Sequence, residues 1–227
     1  MSAFLLDPRL AAAGVRHGFG VRGAEPSVPV ERPRQVHGTA VHEVRRPGDA
    51  AGVEADAIVC RVAGIAVGVV TADCVPILLA ADRARAVAAV HAGWRGLTAG
   101  VVAAGVAVLA GAGRPPELAA IGPHVGPCCY EVDEPVLRAV RARFADGVPA
   151  DAVRPGRPGH AWLDLGLLAE AELLRAGIPV VSRATARCTV CDPERFHSYR
   201  RDGPRAGRLL HFVAAEAGRV TPAARRS

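Results

Sequence analysis

Residues 75–81 are apolar and extended in character, Asp82-Arg83 can turn, and 84–90 return as a second apolar run, so the stretch reads as one β-hairpin. Ala72-Asp73-Cys74 precedes it and His91-Ala92-Gly93-Trp94-Arg95-Gly96 follows it. With a two-residue turn, Ala81 faces Ala84, and the ladder brings Cys74 opposite His91. Directly opposed Cβ atoms lie about 4.5–5.5 Å apart. A thiolate and an imidazole at that separation can share a metal ion or act as nucleophile and base. The competing reading makes Cys74 a small buried hydrophobe and His91 an ordinary hydrogen-bonded side chain.

The chain has 227 residues, half of them hydrophobic, which supplies a sizeable core; it is read as one domain over 1–217 with a disordered tail at 218–227. It contains no apolar run of roughly eighteen residues. Its first residues, Met1 to Pro8, lack the basic region and apolar core of a signal peptide, so a soluble, cytoplasmic protein without membrane contact is expected. Six cysteines (Cys60, Cys74, Cys128, Cys129, Cys188 and Cys191) are too sparse for a disulfide scaffold at this length. Every cationic side chain that is not histidine is arginine, which excludes a Schiff-base lysine and a Walker A loop. The formal charge of +6 suits an anionic ligand, but 4% aromatic residues and scattered arginines are poor material for nucleic-acid binding.

The pattern predicts strands over 56–61, 65–70, 75–81, 84–90, 118–121 and 178–181. It predicts a helix over 97–109, a second marked by Leu137, Val140 and Phe144 with Asp133 as its cap, and a third marked by Leu167, Ala171 and Leu174 and closed by Gly177. Segments 45–52 and 147–160 read as surface loops. This order lacks the regular alternation of a doubly wound sheet and points to an α+β, layered architecture with a mixed sheet.

Gln35, the one glutamine, stands two residues before His37 in Gln35-Val36-His37-Gly38, on the same side of an extended segment. His37, Cys74 and His91 together would leave a fourth position open, the arrangement of catalytic zinc. Cys188-Thr189-Val190-Cys191 has no second pair at zinc-ribbon spacing and Cys128-Cys129 is adjacent, so packing is the expected role of these four ahead of redox or metal chemistry. Arg95, beside an expected helix start, and Arg200-Arg201 are candidates for anion binding. The eight histidines include no His-x-His pair, which argues for zinc rather than a multinuclear copper site.

Gln35-Val36-His37-Gly38, the run from Thr71 to Leu79, His91 to Gly96, Ile121-Gly122-Pro123, Gly126 to Val132, Cys188 to Asp192 and Ser198 to Gly203 occur in order. The series resembles the bacterial YfiH/YlmD proteins, the family long called polyphenol oxidase or laccase-domain proteins. The resemblance implies an αββα-type layered fold with a mixed sheet. It also implies a metal and catalytic site of His37, Cys74 and His91, with Gln35, Arg95, Arg200 and Arg201 toward substrate. The implied activity is zinc-dependent purine nucleoside phosphorolysis of adenosine, inosine and guanosine, with methylthioadenosine phosphorolysis and adenosine deamination alongside. The ligands are then a nucleoside and phosphate, the cofactor zinc in preference to copper, and the protein a monomer or weak dimer. Relatives often carry a longer, asparagine-containing segment where this chain has only 21–34, so the resemblance stops short of that segment. Two rivals use the same residues: a metal-free Cys74/His91 hydrolase or peptidoglycan-editing factor, and a non-catalytic binding protein. Asp73 and Glu131 are candidate general acids.

Overall fold

Every residue in the two strands of the central hairpin is buried, because both of their faces are covered. In chain order the strands are β1 (His17–Gly18), β2 (Val30–Glu31), β3 (Val41–Val44), β4 (Ala57–Cys60), β5 (Ala66–Thr71), β6 (Val75–Ala81), β7 (Ala86–Ala92), β8 (Leu118–Ile121), β9 (Glu131–Asp133), β10 (Val153–Pro155), β11 (His160–Leu163), β12 (Val180–Ser182) and β13 (Leu209–Ala214). The helices are α1 (Pro8–Ala12), α2 (Trp94–Ala99), α3 (Val101–Ala110), α4 (Glu134–Arg143), α5 (Leu165–Arg175) and α6 (Tyr199–Asp202). The structure is a computed structural model that describes residues 4–111, 113 and 116–217, so the tail expected at 218–227 lies outside the described residues.

The hairpin β6–β7 is the middle of a six-stranded mixed sheet in the order β12-β8-β6-β7-β4-β3. Alternation along the strands sends Ile77, Leu79, Ala88 and Val90 to one face, where they pack with Leu97, Val101, Leu168 and Leu173 of the helices. Leu78, Ala80, Val87 and Ala89 point to the other face and meet Val67, Val69 and Val213. Those three belong to a four-stranded sheet, β1-β13-β5-β2, so the centre of the molecule is layered helix, sheet, sheet. A small antiparallel sheet, β10-β11-β9, stands apart from both. The α+β class and mixed sheet expected from the sequence are what the chain forms. Among the described residues, no helix is long and apolar enough to cross a membrane.

Five details differ from the sequence reading. The hairpin turn takes four residues, with Asp82, Arg83 and Ala84 all left-handed at φ of 50°, 56° and 67°. The Arg85 guanidinium closes the turn on the Asp82 carboxylate at 2.5 Å. Ala81 therefore pairs with Ala86, and Pro76, not Cys74, faces His91. The predicted helix over 97–109 starts earlier and is two helices, α2 and α3, divided where Gly100 adopts φ of 100°. The stripe that α5 buries is Leu165, Leu168, Ala169, Glu172 and Leu173, while Leu174 is 55% exposed. Leucine on several sides of one helix leaves the period ambiguous, and the Arg143 to Glu172 ion pair lies on the buried side. Asp133 precedes α4 without a side-chain capping bond, and 147–160, read as a loop, contains β10 and the start of β11.

Three buried histidines are held neutral. Nε2 of His17 accepts the Asp7 amide at 2.8 Å, Nδ1 of His211 accepts the Gly20 amide at 3.2 Å, and Nδ1 of His124 donates to the Gly122 carbonyl at 2.8 Å. Burial lowers the pKa of all three, that of His211 to about 3 with help from the charge of His91. Their contribution to stability is thus complete above about pH 6.5 and drains away as pH falls toward the folded values, each by up to about 1.4 kcal/mol per pH unit. The urea midpoint is expected to drop between about pH 7.5 and pH 5, and His211→Gln to flatten that slope. A midpoint unchanged over this range would contradict neutral burial of these rings.

Candidate metal centre

Asp56 lies immediately before β4 and is fully buried. Its carboxylate accepts the backbone N–H groups of Val36, His37 and Gly38 at 3.2, 2.9 and 2.7 Å, which is possible because His37 turns the loop with φ of 61°. The same carboxylate accepts Nδ1–H of His91 at 2.7 Å, and the Asp56 carbonyl accepts the His91 amide at 2.7 Å. Burial pushes the Asp56 pKa up, but the His91 hydrogen bond and those from Gly38 and Val36 outweigh it and hold the carboxyl below its usual range.

With Nδ1 committed to Asp56, His91 presents Nε2, the tautomer that a ligating histidine backed by a carboxylate adopts. Burial alone would lower the pKa of His91; Asp56 and Cys74 raise it to about 9. Burial likewise opposes ionisation of Cys74, and the two histidines bring its pKa down to about 7. The His37 Nε2 to Cys74 Sγ distance is 4.0 Å, and the two imidazole rings meet edge to face with centroids 4.8 Å apart. One ligand atom from each of His37, Cys74 and His91 lies within 4.8 Å of the others, so the set can hold a metal ion. Gly93 makes room: a Cβ there would stand 2.9 Å from Cys74 Sγ and 3.1 Å from the His37 ring.

Cys74 is aimed by its neighbour. Asp73 adopts φ of 91°, and its buried carboxylate accepts Thr189 Oγ1 at 2.5 Å, Ser198 Oγ at 3.0 Å and the Arg200 amide at 2.5 Å. These bonds occupy both oxygens, so Asp73 is a clamp rather than the general acid that the sequence suggested. Glu131 is also engaged, on Arg157 at 3.0 Å. Tyr130 keeps its proton instead: burial first, and then the charges of Cys74 and Asp73, raise its pKa against the opposing pull of Arg200 and Arg95.

The candidate substrate residues divide. Both ends of the Gln35 amide are taken by the Val70 backbone, at 2.8 and 2.7 Å, so Gln35 ties the loop to β5 instead of facing a substrate. Arg201 is spent on Asp202 and on the carbonyls of Thr189, Val190 and Phe196. Arg95 lies within the first turn of α2 and stacks on Trp94 at 4.4 Å, and Arg200 lies over Tyr130 at 5.5 Å. Both are exposed and neither is in an ion pair among the described residues. Sequence reading missed Asp56 because 35 residues separate it from His91 and no spacing rule joins them.

A family profile described as "Multi-copper polyphenol oxidoreductase laccase" matches residues 13–216, and the chain belongs to this family. It is 44% identical over 191 residues to a purine nucleoside phosphorylase of Xylella fastidiosa (strain Temecula1), covering 81% of this chain and 71% of that protein. It is 37% identical to adenosine deaminase RL5 from an unknown prokaryotic organism, covering 68% of this chain and 60% of that protein. The crystal structure of YlmD from Geobacillus stearothermophilus superimposes with a TM-score of 0.78 at 27% identity, covering 95% of this chain and 97% of that one.

Because Asp56 raises the pKa of His91, the stabilisation from their pairing is complete below the ordinary histidine value and fades as pH rises through about 9. In metal-free Asp56→Asn protein, His91 is expected to titrate at least about one pH unit lower than in the parent, a loss of roughly 1.4 kcal/mol of coupling. Proton NMR of the imidazole resonances reads this directly, and an unmoved titration would remove Asp56 as the partner that sets His91.

Proposed function

We propose that the chain is a zinc-dependent purine nucleoside phosphorylase in which His37, Cys74 and His91 hold the metal. The observation that carries this reading is the convergence of those three donors on one point, with a carboxylate fixing the tautomer of His91 and two arginines free of ion pairs nearby. The donor set suits zinc: imidazole and thiolate ligands at Zn–N of 2.0–2.1 Å and Zn–S of about 2.3 Å need donor separations of about 3.3–3.6 Å. The exposed His37 ring can close that remaining distance. Zinc bound there would supply Lewis acidity at an open fourth position.

The residues of the chain do the rest. Arg95 and Arg200 supply positive charge for phosphate, and Arg95 is preordered by its stacking on Trp94. Tyr130 holds a proton on its hydroxyl beside Cys74 and donates it as a hydrogen bond toward the departing base. Asp73 and Asp56 position Cys74 and His91, while Gln35 and Arg201 hold the loops that carry them. The named relatives support the substrate class: the Xylella protein is a purine nucleoside phosphorylase and RL5 an adenosine deaminase. We take adenosine, inosine and guanosine as the substrates, with adenosine deamination as a side reaction.

Inosine with phosphate is expected to yield hypoxanthine and ribose 1-phosphate without consuming oxygen. Mass spectrometry of the sugar product decides: free ribose formed equally well without phosphate would replace phosphorolysis by hydrolysis, and oxygen uptake with a phenol would favour the oxidase that the family description names. Arg95→Ala is expected to raise the KM for phosphate about ten-fold or more, the cost of one charged hydrogen-bonding partner, with zinc content unchanged. An unchanged KM would take Arg95 out of the phosphate site.

A further inference from the structure

Outside that centre, the fold gathers a second set of metal ligands. Cys128 and Cys129 precede β9, Cys188 and Cys191 precede α6, and 58 residues of chain lie between Cys129 and Cys188. Packing does not account for them, because Cys128 and Cys191 are exposed. One sulfur from each lies within 4.8 Å of the other three. The Cys128 to Cys191 and Cys129 to Cys191 separations are 3.6 and 3.4 Å.

We propose that Cys128, Cys129, Cys188 and Cys191 form a tetrathiolate zinc site that staples the 122–130 loop to the 187–191 loop. Four thiolates bound tetrahedrally at about 2.3 Å have sulfur-to-sulfur edges of about 3.8 Å, the scale of the separations here. A disulfide needs about 2.05 Å between one pair, and these four cysteines are free, with separations of 3.4 and 3.6 Å well beyond that. An iron–sulfur cluster places several inorganic atoms between the cysteines and spreads them further apart than this. Soft thiolates in a closed set of four favour zinc over the oxygen-seeking cations.

The surroundings are those of bound thiolate. The Gly126 amide donates to Cys188 Sγ at 3.3 Å, and a Cβ on Gly126 would stand 3.1 Å from Cys188 Cβ and 3.3 Å from Cys128 Sγ, so glycine there keeps the cradle uncrowded.

The staple has a consequence for the first centre. The two loops also meet at a bridge between His124 and Cys188. From them come Thr189, which donates to the Asp73 carboxylate, and the Val125 amide, which donates to the Asp73 carbonyl at 2.9 Å. Zinc at the four cysteines therefore holds the clamp that aims Cys74.

The test uses the full chain purified without an affinity tag. The parent is expected to hold about two zinc ions per chain, one in each closed or three-ligand site. Cys74→Ala should retain about one, with X-ray absorption showing four sulfur neighbours at about 2.3 Å and no nitrogen. Cys128→Ser/Cys191→Ser should lose that ion and keep a zinc with mixed nitrogen and sulfur neighbours. If the double variant fails to fold, the Cys74→Ala spectrum stands alone. Metal-free Cys74→Ala protein, a mixed nitrogen and sulfur shell in it, or recovery of the four cysteines as two disulfides would each overturn the proposal. Because the readout is the sulfur shell and not turnover, loss of phosphorolysis leaves it unaffected.

Discussion

The Asp56 carboxylate is the interaction on which the candidate centre rests. A fully buried carboxylate is costly unless its oxygens are satisfied, and here three consecutive backbone amides and one imidazole satisfy them. The same four bonds that make the charge tolerable draw the His37 loop and His91 together from positions 54 residues apart in the chain. Withdrawing one partner from a buried charged network typically costs about 3–5 kcal/mol, which makes this arrangement all-or-none. The central hairpin supplies rigidity: β6 and β7 are buried on both faces, so Cys74, just before β6, and His91, near the end of β7, sit at one fixed end of the hairpin.

A second carboxylate repeats the logic one residue from the thiol. Asp73 has a strained backbone and a carboxylate satisfied by Thr189, Ser198 and Arg200 from the far end of the chain. Strain of this kind persists where surrounding bonds over-determine it, and the two loops that join at the four cysteines provide those bonds. One acid thus orients the imidazoles, the other the thiolate, and the guanidinium groups of Arg95 and Arg200, which pair with no carboxylate among the described residues, are the ones with charge to offer an anion.

The sequence made Cys74 and His91 legible as a pair through the pattern of the hairpin, although the register inferred for it is wrong. The turn takes two more residues than a minimal one, and a shift of two preserves which face each side chain occupies, so the pair survived the error; a shift of one would have separated them. His37 was legible only through its motif, since nothing local links an exposed loop histidine to a hairpin 37 residues on. Asp56 and the four-cysteine cluster were not legible at all, because a buried acid announces itself only through long-range partners and two cysteine pairs become one set only when two loops meet. Gln35 and Arg201 read as ligand-facing for the opposite reason: polar side chains in a motif look alike whether they meet a substrate or a backbone carbonyl. The face of α5 was lost because leucine surrounds that helix.

The claim that Asp56 assembles the site is tested most directly by the crystal structure of the Asp56→Ala variant, compared with the parent. The account predicts that the central sheet stays in place, while the 36–38 loop leaves its position and the ligand atoms of His37, Cys74 and His91 no longer lie within 4.8 Å of one another. A variant in which those three atoms keep their parental separation, with the His91 ring unturned, would contradict it.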